Sequence, residues 1–106
     1  MPAAAPDVFA IIPGAEALPT AMATCEALRG AGLSVQMHGA GATGWGSIKS
    51  QFKRADASGA RFALIFGADE LARGEVSLKS LRDAEAPQRS LPLAHTTVWA
   101  TELRNA

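Results

Sequence analysis

Two runs of apolar residues, Val8-Phe9-Ala10-Ile11-Ile12 and Phe62-Ala63-Leu64-Ile65-Phe66, constrain the fold of this chain more than anything else in it. Each is continuous rather than alternating, so each suits a strand buried on both faces. Pro13-Gly14 stops the first, and Gly67 follows the second. A strand covered on both faces needs a layer on each side of its sheet, and the spacing of the remaining apolar residues supplies helices. Leu18, Met22, Cys25 and Leu28 recur at helical intervals, with Pro19 in a first turn and Gly30 to Gly32 as the stop. Leu33 to Met37 reads as a second short strand. Beyond the glycine-rich stretch Gly39 to Gly46, the residues Ile48, Phe52 and Ala55 mark the buried face of a second helix, with Ser47 as its N-cap and Gly59 at its end.

The order strand–helix–strand–helix–strand is two successive βαβ units, and right-handed crossovers turn it into a parallel sheet with helices packed on it. Asp69 to Arg73 reads as a single helical turn capped by Asp69 and ended by Gly74. Val76 and Leu78 then alternate with Glu75, Ser77 and Lys79, the period of a strand with one wet face. Arg82 to Pro87 is turn-like, Gln88 to Leu91 is the returning arm of a hairpin, and Leu93 to Arg104 is a weaker last helix with Val98, Trp99 and Leu103 as its contacts. The expected fold class is therefore α/β: one three-layer domain, a mixed, mostly parallel sheet of about five strands flanked by about three helices. With 106 residues there is room for one such domain, assigned to residues 7–106, while residues 1–6, with two prolines and no periodicity, read as a linker or tail.

Composition matters mainly for what it excludes. Hydrophobic residues make up 48% and charged residues 19%, which is globular rather than disordered. No apolar run approaches the roughly 20 residues of a membrane helix, and the first basic residue is Arg29, so no charged signal-peptide start is seen. The expectation is a cytoplasmic protein with no membrane partner. Cys25 is alone, which removes any disulfide framework or CxxC motif. It lies on the helical apolar stripe and reads as a packed, inert thiol. His38 and His95 have no cysteine or carboxylate at ligand spacing, so no metal site is expected. Asp69-Glu70 suits a helix cap and an exposed turn better than an acid/base pair, and nothing resembles a nucleophile elbow. No catalytic residues are assigned, and the chain alone is not expected to be an enzyme.

Formal charge is zero, but it is unevenly distributed. Lys49, Lys53, Arg54 and Arg61 face only Asp56 within residues 47–61, a local excess of three positive charges. Lys49 and Lys53 are four apart on one helix face, directly after a glycine-rich loop. For an arbitrary helix this is a solvated face. Here a glycine loop, a helix N-terminus and lysines in the first two turns coincide, which together favour an anion. Gly39-Ala40-Gly41-Ala42-Thr43-Gly44 also spells the dinucleotide-binding pattern GxGxxG. It follows the second strand rather than the first, no acidic residue ends the third strand, and Trp45-Gly46 interrupts the helix start. A small nucleotide-binding domain is thus the poorest of the alternatives.

The stretch from Ser47 through Lys49, Gln51, Lys53-Arg54-Ala55-Asp56 and Gly59-Ala60 to Phe66-Gly67, with Asp69-Glu70-Leu71, Gly74-Glu75-Val76 and Lys79-Ser80-Leu81-Arg82, resembles the C-terminal anticodon-binding domain of bacterial histidyl-tRNA synthetase. Asp7-Val8-Phe9, Ala17-Leu18-Pro19 and Leu28-Arg29-Gly30-Ala31-Gly32-Leu33 resemble it too, and the similarity runs from residue 7 to about residue 93. Threonyl-, prolyl- and glycyl-tRNA synthetases carry related domains. The resemblance implies five mixed strands with three helices, and a role in holding the anticodon stem-loop of histidine tRNA. It implies as partners that tRNA and the catalytic domain of a parent ligase, itself a homodimer. No cofactor is implied for this domain, since ATP and magnesium belong to the catalytic domain, which has no counterpart in these residues. RNA-binding roles are implied for Trp45, Ser47, Lys49, Gln51, Lys53, Glu70, Lys79 and Arg82. Single-stranded bases are read by stacking and by their exposed edges, while Lys and Arg hold phosphates. Glu70 is suited to a guanine amino edge because a carboxylate only accepts. Lys49 and Lys53 are suited to the RNA backbone. The Gly39–Gly46 loop is about two residues longer than the family's usual glycine pair and carries Trp45, which either stacks on a base or covers the sheet edge. A protein-interaction or dimerisation module with the same fold is the alternative reading.

Overall fold

The computed structural model describes residues 5–37, 48–83 and 85–106. Among them, five strands form one sheet in the order β2-β1-β3-β4-β5: β1 Val8–Ile11, β2 Val35–Met37, β3 Phe62–Ile65, β4 Glu75–Ser80 and β5 Arg89–Pro92. The helices are α1 Leu18–Gly30, α2 Ile48–Ala57, the short α3 Ala68–Ala72 and α4 Thr96–Arg104. Strand β1 is parallel to both β2 and β3, with Ala10 opposite Met37 and Ile11 opposite Ile65. The last three strands form antiparallel pairs, with Leu64 opposite Leu78 and Ser77 opposite Ser90. The expected mixed α/β sheet is present, with the hairpin arm from Arg89 completing it.

The two βαβ connections run in opposite directions along the sheet, from β1 to β2 and then from β2 across β1 to β3, so right-handed crossovers place α1 and α2 on opposite sides. That is why the first apolar run has no polar residue. Val8, Ala10 and Ile12 enter one core with Ala21, Cys25 and Leu28 of α1 and Trp99, Ala100 and Leu103 of α4. Phe9 and Ile11 enter a second, smaller core with Ala55, Ala60 and Ala63, joined by half-buried Phe52.

Local chemistry explains the helix ends. Gly32, with φ +98°, takes the left-handed conformation at the exit of α1. Its N–H donates to Arg29 C=O at 3.0 Å and Leu33 N–H to Leu28 C=O at 3.0 Å, while Leu33 is buried beneath the turn. Helix α3 starts one residue earlier than expected, with Gly67 rather than Asp69 at the N-cap. Trp99, in the last helix, donates its indole N–H to Pro92 C=O at 2.8 Å, which ties α4 to β5. Val98, expected to pack, is 61% exposed, because only the stripe through Trp99, Ala100 and Leu103 faces the sheet.

Candidate nucleic-acid interface

The second side of the sheet collects most of the described candidate residues. Lys49 and Lys53 are both exposed on α2, together with Arg54. Ser50, Lys53, Arg54 and Ala57 line a shallow depression of about 430 Å³ on the outer side of this helix. Lys79 on β4 is exposed and sits opposite Ala63, an α2-side residue, so its side chain leaves the sheet on the side of α2. Ser77 and its partner Ser90 face the same way, Ser90 exposed and Ser77 buried.

Glu70 stands at the carboxyl end of β3, in α3. Its carboxylate folds back over Gly67, so closely that a β-carbon there would collide with it. Glu16 does the same over Gly14, where a β-carbon would lie 3.0 Å from Glu16 Oε2. Between these loops, at the carboxyl ends of β1 and β3, lies a cleft of about 220 Å³ lined by Pro13, Gly14, Glu16, Ala17, Phe66 and Leu71, among others. Helix α2 begins at this end of the sheet, so Lys49 and Glu70 share it, while Lys79 and Arg82 lie toward the opposite end.

Several candidate or cationic residues are instead occupied by the fold. Gln51 is 1% exposed, and its side-chain amide is engaged with the backbone of Ile12, accepting from the N–H and donating to the C=O at 2.8 Å each. It therefore does not present its amide to an RNA. Its position was legible, being three after Ile48 and four before Ala55 on the inward stripe. Ile48, placed on that stripe from the sequence, is 43% exposed, so the amide takes the place an apolar anchor was expected to fill.

Arg82 leaves β4 and reaches the end of α2. Its Nε donates to Ala60 C=O at 3.1 Å and its Nη2 to Asp56 C=O and Oδ1 at 3.0 and 3.2 Å. Arg61, part of the local positive excess, donates to Ala106 and Leu103 carbonyls at the end of α4 and pairs with Asp7 at 3.3 Å. Its cation also sits 5.3 Å from the ring centroid of Phe62. Within residues 48–61 the exposed cations are thus Lys49, Lys53 and Arg54 on α2. Trp45, Ser47, His38 and the Gly39–Gly46 loop, with its GxGxxG spelling, lie outside the described residues. Among the described residues no group of His, Cys, Asp or Glu is arranged to hold a metal, and no helix is long and apolar enough to cross a membrane.

Comparison with known proteins decides the family. The anticodon binding domain family matches residues 7–98. The chain belongs to that family. Among curated proteins, this anticodon-binding domain is 55% identical over 104 residues to the histidine–tRNA ligase of Acidovorax ebreus, covering 96% of the chain and 24% of that ligase. It is 48% identical over 89 residues to the histidine–tRNA ligase of Methylobacillus flagellatus, covering 84% of the chain and 20% of the ligase. The chain thus spans only a fifth to a quarter of these relatives.

Solved structures agree on the fold. A histidyl-tRNA synthetase from a Nostoc species superposes with a TM-score of 0.75 at 30% identity, over 97% of this chain and 23% of that one. The RNA binding domain of threonyl-tRNA synthetase from Cryptosporidium parvum superposes with a TM-score of 0.78 over 94% of this chain and 24% of that one, at only 16% identity, a likeness of fold alone.

Proposed function

We propose that this anticodon-binding domain holds the anticodon loop of a tRNA, that of histidine tRNA with anticodon GUG, as one module of a histidine–tRNA ligase. Residues 7–106 form the module and residues 1–6 its linker. Aminoacylation, with its ATP and magnesium, belongs to a separate catalytic domain of a cytoplasmic, homodimeric parent enzyme. The observation that carries this reading is the 55% identity with a histidine–tRNA ligase over nearly the whole chain. The fold is shared with a threonyl-tRNA synthetase domain, so the amino-acid assignment rests on the sequence rather than on the architecture.

The geometry supports a division of labour. Lys49 and Lys53, exposed on the outward face of α2, meet loop phosphates. Lys79, on the same side of the sheet, extends the positive surface across β4. Glu70, acceptor-only, takes the N–H edge of a guanine, which presents donors at N1 and the exocyclic amine. Trp45, where it stacks on a base, adds about 1–3 kcal/mol.

The reading is tested by fluorescence anisotropy with a GUG anticodon stem-loop and the same hairpin carrying another anticodon, at low and physiological salt. Preference for GUG, lost in Glu70→Ala, is the expected result. Equal, salt-sensitive binding to both hairpins would reduce the surface to a nonspecific basic patch. No binding at low salt would overturn the reading for this chain.

A further inference from the structure

The end of β1 has a hydrogen-bonding need that the described sheet does not meet. Phe66 N–H donates to Ile11 C=O at 3.0 Å, and among the described residues the register of β1 with β2 runs as far as Ala10 and Met37. Ile12 comes one residue later and is completely buried. Its backbone N–H and C=O would cost free energy if left unmade inside the protein. The Gln51 side chain answers both at once, with two bonds of 2.8 Å. A side-chain amide here acts as one more peptide unit added to the sheet.

Helix α2 has few other inward holds. Ala55 is the only fully buried apolar side chain of this helix, Phe52 is half-buried and Ile48 is 43% exposed. Its far end is tied by Arg82 to Asp56. Successive helical residues turn by about 100°, so Lys49 and Lys53 each stand about 200° from Gln51 and about 40° from each other. Holding Gln51 inward therefore aims both lysines outward.

We propose that Gln51 is a positioning residue of the RNA face. By clamping Ile12 it sets the roll and height of α2, and so where Lys49 and Lys53 meet phosphates, without itself touching RNA. The proposal rests on the RNA-binding reading given above for its functional consequence, but not for the clamp.

The variants Gln51→Glu and Gln51→Met in the full chain test it. A neutral glutamic acid offers the same acceptor and donor, whereas the ionised form offers only acceptors and faces the Ile12 carbonyl. Burial favours the neutral acid and raises its pKa, so the switch moves toward neutral pH. The charged side chains of α2, Lys49, Lys53, Arg54 and Asp56, are all exposed, and the β1 run it packs on, Val8 to Ile12, carries no charged residue. Affinity for the GUG hairpin is measured at constant ionic strength, where circular dichroism shows every variant folded, and expressed relative to the wild type at the same pH. The loss for Gln51→Glu is expected to stay within about twofold near pH 5.5 and reach about tenfold near pH 8.5, while Gln51→Met is weakened throughout.

A ratio near one at every pH, or a loss that does not vary with pH, overturns the proposal. Backbone amide NMR shifts provide the arm that does not need RNA. In Gln51→Glu, pH-dependent shifts absent from the wild type are expected at Ile12 and through Ile48 to Lys53. Should the wild type bind no hairpin at any pH, the RNA-binding reading falls, and these shifts decide the clamp alone. Shifts that are absent, or spread evenly through β4, β5 and α4, overturn it.

Discussion

The two sides of the sheet are built on different terms. On one, α1 and α4 press Leu28, Trp99 and Leu103 onto Val8, Ile12, Leu64, Phe66, Val76 and Leu78, a deep apolar core. On the other, α2 offers Ala55 and half of Phe52 to Phe9, Ile11 and Ala63, and polar ties at its two ends do the rest: Gln51 to Ile12, Arg82 to Asp56. Burial scales with apolar area, so the first side dominates stability. The second leaves the outward half of its helix to be cationic at little cost to folding. The difference teaches that the candidate RNA surface lies where the fold is held by direction rather than by bulk, since hydrogen bonds fix orientation more sharply than apolar contact does.

The sharpest way to break this comparison is Leu28→Ala. Leu28 is completely buried in the larger core. Its truncation is expected to cost about 3 kcal/mol, read by urea unfolding. The remaining folded protein should bind the anticodon hairpin as before, because the apolar contacts of α2 are with Phe9, Ile11 and Ala63 and its tie to Ile12 is made through the backbone, not through Leu28. A loss under about 1 kcal/mol would mean the α1 side can collapse around the gap. A parallel loss of RNA affinity in the folded protein would mean the two sides are not separable.

Replacing Lys49 and Lys53 together by Ala tests the other side. Unfolding free energy should change by no more than about 0.5 kcal/mol, since both side chains are exposed and make no tie among the described residues. Affinity for the hairpin should fall, and the slope of log K against log salt should flatten by about 1.4 for two lost contacts to single-stranded RNA. An unchanged slope would remove these lysines from the interface and shift attention to Lys79 and Arg54. Stability lost without loss of slope would show that they serve the fold.

The same asymmetry explains what the sequence disclosed. Strands buried on both faces declare themselves by unbroken apolar runs, so β1 and β3 were legible almost to the residue, and the glycines Gly30 to Gly32 marked the end of α1. The hairpin was legible from alternation, although Ser77, expected on a wet face, is buried. Polar ties were not legible, because Arg61 and Arg82 carry in sequence the same features as residues that meet solvent or RNA, and the place of Gln51 on the inward stripe does not disclose its partner. Only the fold reveals that their donors and acceptors are answered by backbone groups 39, 42 and 45, or 22 and 26, residues away. Lys49, Lys53 and Lys79, by contrast, are placed on the surface as their polarity indicated.

The smallest expected effect concerns Cys25, a probe set into the larger core. The thiol is fully buried on the inward stripe of α1, and burial raises its pKa, opposed only in part by the nearby Arg29 charge. In the unfolded chain the same thiol ionises at its ordinary value. A group whose folded pKa is raised gives stability that is fully present below the unfolded pKa and is lost as pH climbs toward the folded one. Stability should therefore decline as pH rises above the ordinary thiol range, and this part of the decline should be missing from Cys25→Ala. Urea unfolding of both proteins across that range measures the difference. A thiol-specific reagent gives a second readout: labelling of Cys25 should follow unfolding of the whole core, because the neutral, inaccessible thiol is unreactive in the native state. Labelling much faster than unfolding would show that α1 opens locally, and the contrast between a rigid apolar side and a lightly held functional side would then have to be redrawn.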